Sequence, residues 1–242
     1  MRQAGHDDAL AFALAIGLTA GYENDVAAKK DVIDPSGDAH SVKSGVKKWQ
    51  VFLYALSRFE TDTGFTVMNG IGDLLAECIK AFPSTFKEYE VDKGPAKQRL
   101  RPYMRELASR LQDSRRLSAF IHKSLFNAGE VKYLTVKDGD IFRVFLNDDV
   151  VGVLAQHLEV RNSTARTAGQ VPEQKVLFRH NGLNLGELEM RNDSELHYRQ
   201  IRFNMIRPKV MGLLLAQIPV SRTLNDKVLI HGNATRRFGR WA

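Results

Sequence analysis

Glu187 and Glu189 are the residues of this chain best placed to do chemistry. They stand two apart in Gly186-Glu187-Leu188-Glu189-Met190-Arg191, just after Asn181-Gly182, a pair that favours a tight hairpin turn. Residues two apart on a strand share a face, so Glu187, Glu189 and Arg191 project together while Leu188 and Met190 turn toward a core. Two carboxylates about 7 Å apart, with a permanent cation beside them, suit a hard divalent ion and a phosphate. Mg²⁺ is usually held by one or two carboxylates plus waters. Arg191 could contact the phosphate but could not accept a proton. The alternative is a solvated strand face on which glutamate and arginine merely pair. A further carboxylate would come from Asp138, Asp140, Asp148 or Asp149, because Lys175 to His180, the partner strand of the hairpin, holds no aspartate. Asp140, read as opening a strand, is the candidate metal ligand and catalytic partner. Asp138 beside Gly139 suits a turn, and Asp148 and Asp149 suit a helix cap.

Cations gather on two segments. From His197 to Lys209 the chain carries Arg199, Arg202, Arg207 and Lys209 with no acidic residue, and Tyr198 and Phe203 are interleaved. Such residues clamp nucleic-acid backbones and reach base edges, so His197, Tyr198, Arg199, Arg202 and Arg207 are candidate DNA contacts. A solvated basic face is the plainer reading. The second segment runs from Asp38 to Gln50 and contains Lys43, Lys47 and Lys48. Read as a polar loop entering a helix, it puts two lysines where the helix dipole disfavours them. A bound phosphate would explain that placement; incidental solvated lysines are the ordinary alternative. The formal net charge of +7 agrees with a polyanionic partner, nucleic acid first among them. No phosphate-loop motif, dinucleotide fingerprint or nucleophile elbow competes with this reading.

These groups need a scaffold, and the apolar pattern outlines one. Trp49, Phe52, Leu53 and Leu56 fall at helical spacing, as do Ile71, Leu74, Leu75 and Cys78, continued by Ile79 and Phe82 and ended by Pro83. Leu100, Met104, Leu107 and Leu111 mark a third helix with Arg101, Arg105 and Arg110 on its polar side. Leu117, Phe120, Ile121 and Leu125 mark a fourth. From about Glu130 the period becomes that of strands. Val131 to Val136 and Ile141 to Leu146 turn at Asp138-Gly139-Asp140, and a helix runs through Val151, Leu154 and Leu158. Arg161 to Gln170 reads as a loop. Lys175 to His180, Leu183 to Arg191 and Ile201 to Met205 follow as strands. Pro208 opens a helix, and Val228 to His231 forms a short strand before a basic tail.

The expected fold is therefore α/β in the α+β sense: one domain over residues 1–242, with a mainly helical part at 1–128 and a sheet-containing catalytic part at 129–242. Ala9 to Ala20 is apolar but too short to span a bilayer, and is read as a buried helix capped by Asp7 that completes the core or packs on a partner subunit. No membrane association is expected. The single cysteine, Cys78, excludes an intramolecular disulfide and fits a reducing, cytoplasmic setting.

Two islands resemble type II restriction endonucleases. His40-Ser41-Val42-Lys43-Ser44-Gly45 with Lys47-Lys48-Trp49-Gln50-Val51-Phe52-Leu53-Tyr54 is similar to the N-terminal part of some members. Gly186 to Ser194 with His197-Tyr198-Arg199 resembles their acidic strand. The resemblance implies a mixed sheet flanked by helices and Mg²⁺-dependent, sequence-specific cleavage of double-stranded DNA by a homodimer of a restriction-modification system. It also implies that Glu187 or Glu189 is the metal-binding acid of an acid-x-lysine half-motif. Arg191 stands where that pattern has lysine, Glu187-x-Glu189 matches an acid-x-acid variant, and the pattern's proline-aspartate half-motif is not evident. The alternative from another class is a non-catalytic basic DNA-binding protein.

Overall fold

A computed structural model describes residues 2–19, 30–66, 68 and 70–241. In chain order the helices and strands are α1 (Arg2–Ala15), β1 (Val32–Ile33), β2 (Ala39–Lys43), β3 (Lys48–Tyr54), α2 (Leu56–Thr61), α3 (Thr63–Thr66), α4 (Ile71–Lys80), α5 (Phe86–Arg110) and α6 (Ser114–Phe126). Then come β4 (Tyr133–Asp138), β5 (Ile141–Leu146), α7 (Asn147–His157), β6 (Glu159–Asn162), β7 (Lys175–His180), β8 (Leu183–Arg191), β9 (Gln200–Ile206), α8 (Arg207–Gln217), β10 (Val220–Asn225) and β11 (Val228–His231). The protein is thus mixed α/β, with two sheets among the described residues. No helix among them is long and apolar enough to cross a membrane.

The chain does not divide near residue 128. It forms two compact units, each assembled from separated segments. One comprises Met1–Lys47, Ile121–Leu154 and Pro208–Ala242; the other comprises Lys48–Phe120 and Ala155–Arg207.

The first unit is built on a six-stranded mixed sheet in the order β1-β2-β4-β5-β11-β10. The expected hairpin between β4 and β5 is present, with Gly139 in the left-handed region at φ 64°. Asp138 ends β4 and Asp140 sits in the exposed turn, the reverse of the expected roles; the strand opens at Ile141. Asp148 and Asp149 do not cap α7 through their side chains: Asn147 Oδ1 accepts from the Asp148 amide instead. The Asp149 carboxylate holds the Asn233 amide and side chain, both at 2.7 Å.

The N-terminal helix packs on this unit's own core. Ala9, Phe12, Ala13 and Ile16 are buried with Tyr133, Val144, Val228, Ile230 and Phe238. The helix begins before Asp7, so Asp7 is not its cap, and Ala20 lies outside the described residues. A buried polar group completes the core: His40, fully enclosed, contacts Thr135 Oγ1 through Nδ1 at 2.8 Å and Asp34 Oδ2 through Nε2 at 3.3 Å.

The second unit holds a five-stranded antiparallel sheet in the order β3-β9-β8-β7-β6. Asn181 and Gly182 both take left-handed conformations, φ 47° and 76°, as the tight β7–β8 turn requires. One face of the sheet buries Val176, Phe178, Leu188, Met190 and Phe203. Phe120 closes on Phe178 and Phe203 with ring centroids 5.9 and 5.3 Å apart, and α4 and α5 pack nearby. The α5 helix starts with a capping box between Thr85 and Glu88, and its apolar stripe of Leu100, Met104 and Leu107 is buried.

The helices expected around Ile71 and Phe82, Leu100 and Leu111, and Leu117 and Leu125 are α4, α5 and α6. The one expected from Trp49 to Leu56 is not a helix but strand β3 followed by α2. A bulge between Gln50 and Phe52 makes Val51 an extra residue in the strand. That insertion turns a two-residue alternation into apolar positions three and four apart, which mimics a helical stripe. The residues themselves, Trp, Val, Phe and Tyr, are strand formers.

Candidate functional site

Strand β8 presents Glu187, Glu189 and Arg191 along one line, while Leu188 and Met190 are buried on the opposite face. Neighbouring strands add to that polar line. On β9, Asn204 lies across from Glu187, Arg202 from Glu189 and Gln200 from Arg191. On β7, Lys175 lies across from Glu189. Lys48, the first residue of β3, reaches Glu187. All of these residues belong to the second unit.

The charges are organised around Lys175. Its ammonium lies 3.2 Å from Glu187 and also pairs with Glu189. Lys48 holds the other Glu187 oxygen at 3.2 Å, and Arg202 pairs with the other oxygen of Glu189. Glu189 is 8% exposed, and both of its carboxylate oxygens are ion-paired. Burial alone would raise the pKa of Glu187, but Lys175 and Lys48 outweigh it and hold the carboxyl below its ordinary value. Burial likewise works against the charge of Lys175, yet Glu189 and Glu187 outweigh it and raise its pKa. Lys175 is therefore a fixed cation at neutral pH, a donor and not a proton acceptor. On β9, Gln200 Oε1 and Arg202 Nε are buried with no hydrogen-bond partner among the described residues.

Arg191 is committed elsewhere, with its Nε and Nη2 forking onto Asp193 at 2.7 and 3.0 Å. Asp140 does not join the glutamates in their unit; it belongs to the first unit, in the β4–β5 turn. No group of three His, Cys, Asp or Glu residues able to hold a metal occurs among the described residues. The pair Glu187 and Glu189 still matches what Mg²⁺ asks of a protein, since waters and a substrate phosphate ordinarily fill the rest of its shell.

The expected DNA contacts separate into groups. Lys48 and Arg202 belong to the glutamate cluster. Lys43 ends β2 in the first unit, where burial lowers its pKa despite nearby Asp31. Lys47 is exposed in the link between β2 and β3. Because no helix starts there, the helix-dipole argument for a phosphate beside these lysines falls away. His197 lies in a short 3₁₀ turn. Tyr198 donates to Pro83 O at 2.8 Å and packs against Phe82, Phe86 and Tyr89, which accounts for it structurally. Arg199 has φ 56°, unusual for a residue with a side chain, and its Nε is buried without a hydrogen-bond partner among the described residues. Arg207 begins α8.

Lys175 is the member of the site that the sequence pattern did not disclose. The tight turn by itself would set Lys175 opposite Leu188. A bulge opposite Phe178 and Arg179 adds Leu185 to β8 and moves Lys175 across from Glu189. No family model, curated protein or solved structure matches the chain.

Proposed function

We propose that this protein is a Mg²⁺-dependent endonuclease that hydrolyses phosphodiester bonds of double-stranded DNA. The observation that supports the reading is the cluster on one sheet face: two co-facial glutamates with Lys175 between them and Arg202 on Glu189. Glu187 and Glu189 would hold the ion. Bound there, Mg²⁺ would offset charge on the scissile phosphate and lower the pKa of a coordinated water.

The chain's own residues have separable tasks. Arg202 holds the Glu189 carboxylate in place. Lys175, released from the glutamates by a competing cation, would turn its ammonium to a phosphate oxygen. Lys48 would do the same at the edge of the cluster, where it is 52% exposed. Site specificity, a homodimeric assembly and membership of a restriction-modification system rest on the resemblance of the two sequence islands. In the N-terminal segment Phe12 and Ile16 are buried in their own unit, so a dimer seam on this helix would use its exposed Leu10 and Leu14 instead.

A second reading has an observation in its favour: both glutamates are already ion-paired, as in a protein that binds DNA without cutting it. Incubation with unmethylated phage or plasmid DNA, with and without Mg²⁺, separates the two. Discrete fragments that appear only with Mg²⁺ support the endonuclease. A mobility shift without cleavage supports the binding protein, and neither result would remove nucleic acid from the reading's partners.

A further inference from the structure

Outside the glutamate cluster, a second charged group in the same unit is arranged like a receptor. Arg101 and Arg105 stand one helical turn apart on α5 and converge on a single carboxylate, that of Glu173. Arg105 donates through Nε to Oε1 at 3.0 Å and through Nη2 to Oε2 at 2.7 Å, while Arg101 Nε donates to Oε2. A planar guanidinium fork, with a second guanidinium closing on the same oxygens, is a geometry that also fits a phosphate group. Both arginines keep a path to solvent, with the Arg101 side chain 37% exposed and that of Arg105 56% exposed.

Glu173 is an odd residue to find there. Its φ of 58° puts a residue with a side chain in the left-handed region, a conformation held only where surrounding contacts impose it. The segment between β6 and β7 does not need the carboxylate to stay in place. Asn162 Nδ2 donates to Met104 O at 2.8 Å, and Gln174 Nε2 donates to Lys97 O at 3.0 Å. The Glu173 amide itself donates to Ser163 O at 2.8 Å. Residues 164–170 beyond these ties are exposed and include Thr164, Arg166 and Thr167.

We propose that Arg101 and Arg105 form a phosphate-binding site that Glu173 fills at rest as an internal stand-in, and from which an incoming phosphate group displaces it. Glu173 then swings its side chain away while its backbone stays fastened through Asn162, Ser163 and Gln174. The competitor is permanent near neutral pH: hydrogen bonds from Arg105 and Arg101 push its pKa down to about 2. The site therefore opens by exchange of one anion for another and not by protonation. The phosphate can belong to a nucleic-acid backbone or be free.

The test uses the full chain, titrated calorimetrically with inorganic pyrophosphate and, by fluorescence anisotropy, with a short DNA duplex. Glu173→Gln removes the competing charge and keeps the shape, so it should bind pyrophosphate about tenfold tighter than the wild type, the gain expected when an occluded state is depopulated. Adding Arg105→Ala to Glu173→Gln should erase that gain. A matching gain on the duplex assigns the site to backbone phosphates; a gain on pyrophosphate alone assigns it to free phosphates, and either supports the site even if no DNA is cleaved. Binding by Glu173→Gln equal to or weaker than the wild type overturns the proposal. So does a large fall in its Tm, which would make Glu173 a structural anchor.

Discussion

His40 in the six-stranded unit and Glu189 in the five-stranded unit are both buried polar residues, yet their surroundings differ in kind. Both ring nitrogens of His40 have partners, Thr135 and Asp34, and its ring sits among Phe12, Tyr133 and Phe238 at centroid distances of 4.9, 4.7 and 5.1 Å. Glu189 lies in a row of charges that reaches solvent through Lys175, 35% exposed, and Lys48, with unpartnered polar atoms on Gln200 and Arg202. A closed, satisfied cluster specifies a fold; an open, incompletely paired one is where a ligand can exchange for existing partners. Residue type does not separate them; what differs is whether the partners around each buried group are complete.

The largest expected effect falls on the open cluster. Glu187→Gln and Glu189→Gln should each lower DNA cleavage by about a thousandfold, because metal charge offset contributes several kcal/mol. Gel assays at matched DNA occupancy measure this. Wild-type rates in both variants would move the chemistry elsewhere and leave the glutamates as ion-pair partners.

For the closed cluster the expected effect is on folding. His40→Ala should destabilise by about 2–4 kcal/mol, from the lost packing and the stranded partners, read from urea denaturation. Activity per folded molecule should stay unchanged. A loss of activity without a loss of stability would break the contrast between the two regions.

The pH dependence of stability sharpens it further. Burial lowers the His40 pKa, with Asp34 and Asp38 opposing that shift only in part. Its unfolded value is near 6.5. Below that pH the unfolded chain takes up a proton that the folded chain refuses, so stability declines as pH falls, by up to about 1.4 kcal/mol per pH unit for one group. His231, also lowered by burial, adds a slope of the same sign. His40→Asn should reduce the slope below pH 6.5, and an unchanged slope would show that His40 is not its source. The smallest effect is expected at Arg191, whose fork onto Asp193 reaches a side chain 63% exposed. Arg191→Lys should change both stability and cleavage by less than about 1 kcal/mol; a loss of cleavage beyond that would return Arg191 to the catalytic group.

Much of this architecture is legible in the sequence. The stripes of α4, α5 and α6, the Asn181-Gly182 turn and the alternation of Glu187 with Leu188 are all local signals, and they read true. Two β-bulges account for what is not legible. Val51 in β3 makes a strand look helical, and Leu185 in β8 shifts the register that brings Lys175 to the glutamates. Gly186, beside Leu185, is the kind of interior strand glycine that marks a bulge, whereas Val51 in β3 has no such marker beside it. That Asp140 belongs to the first unit is not legible either, because composition does not tell which unit a turn joins.

The most direct test of the glutamate cluster as a metal-dependent site is Mn²⁺ binding followed by electron paramagnetic resonance. Mn²⁺ takes the same oxygen ligands as Mg²⁺. In the presence of duplex DNA, the wild-type chain and His40→Asn are predicted to sequester Mn²⁺ equally. The folded double variant Glu187→Gln/Glu189→Gln is predicted to sequester none. Equal Mn²⁺ binding by the double variant and the wild type, or no binding by either, would contradict the assignment.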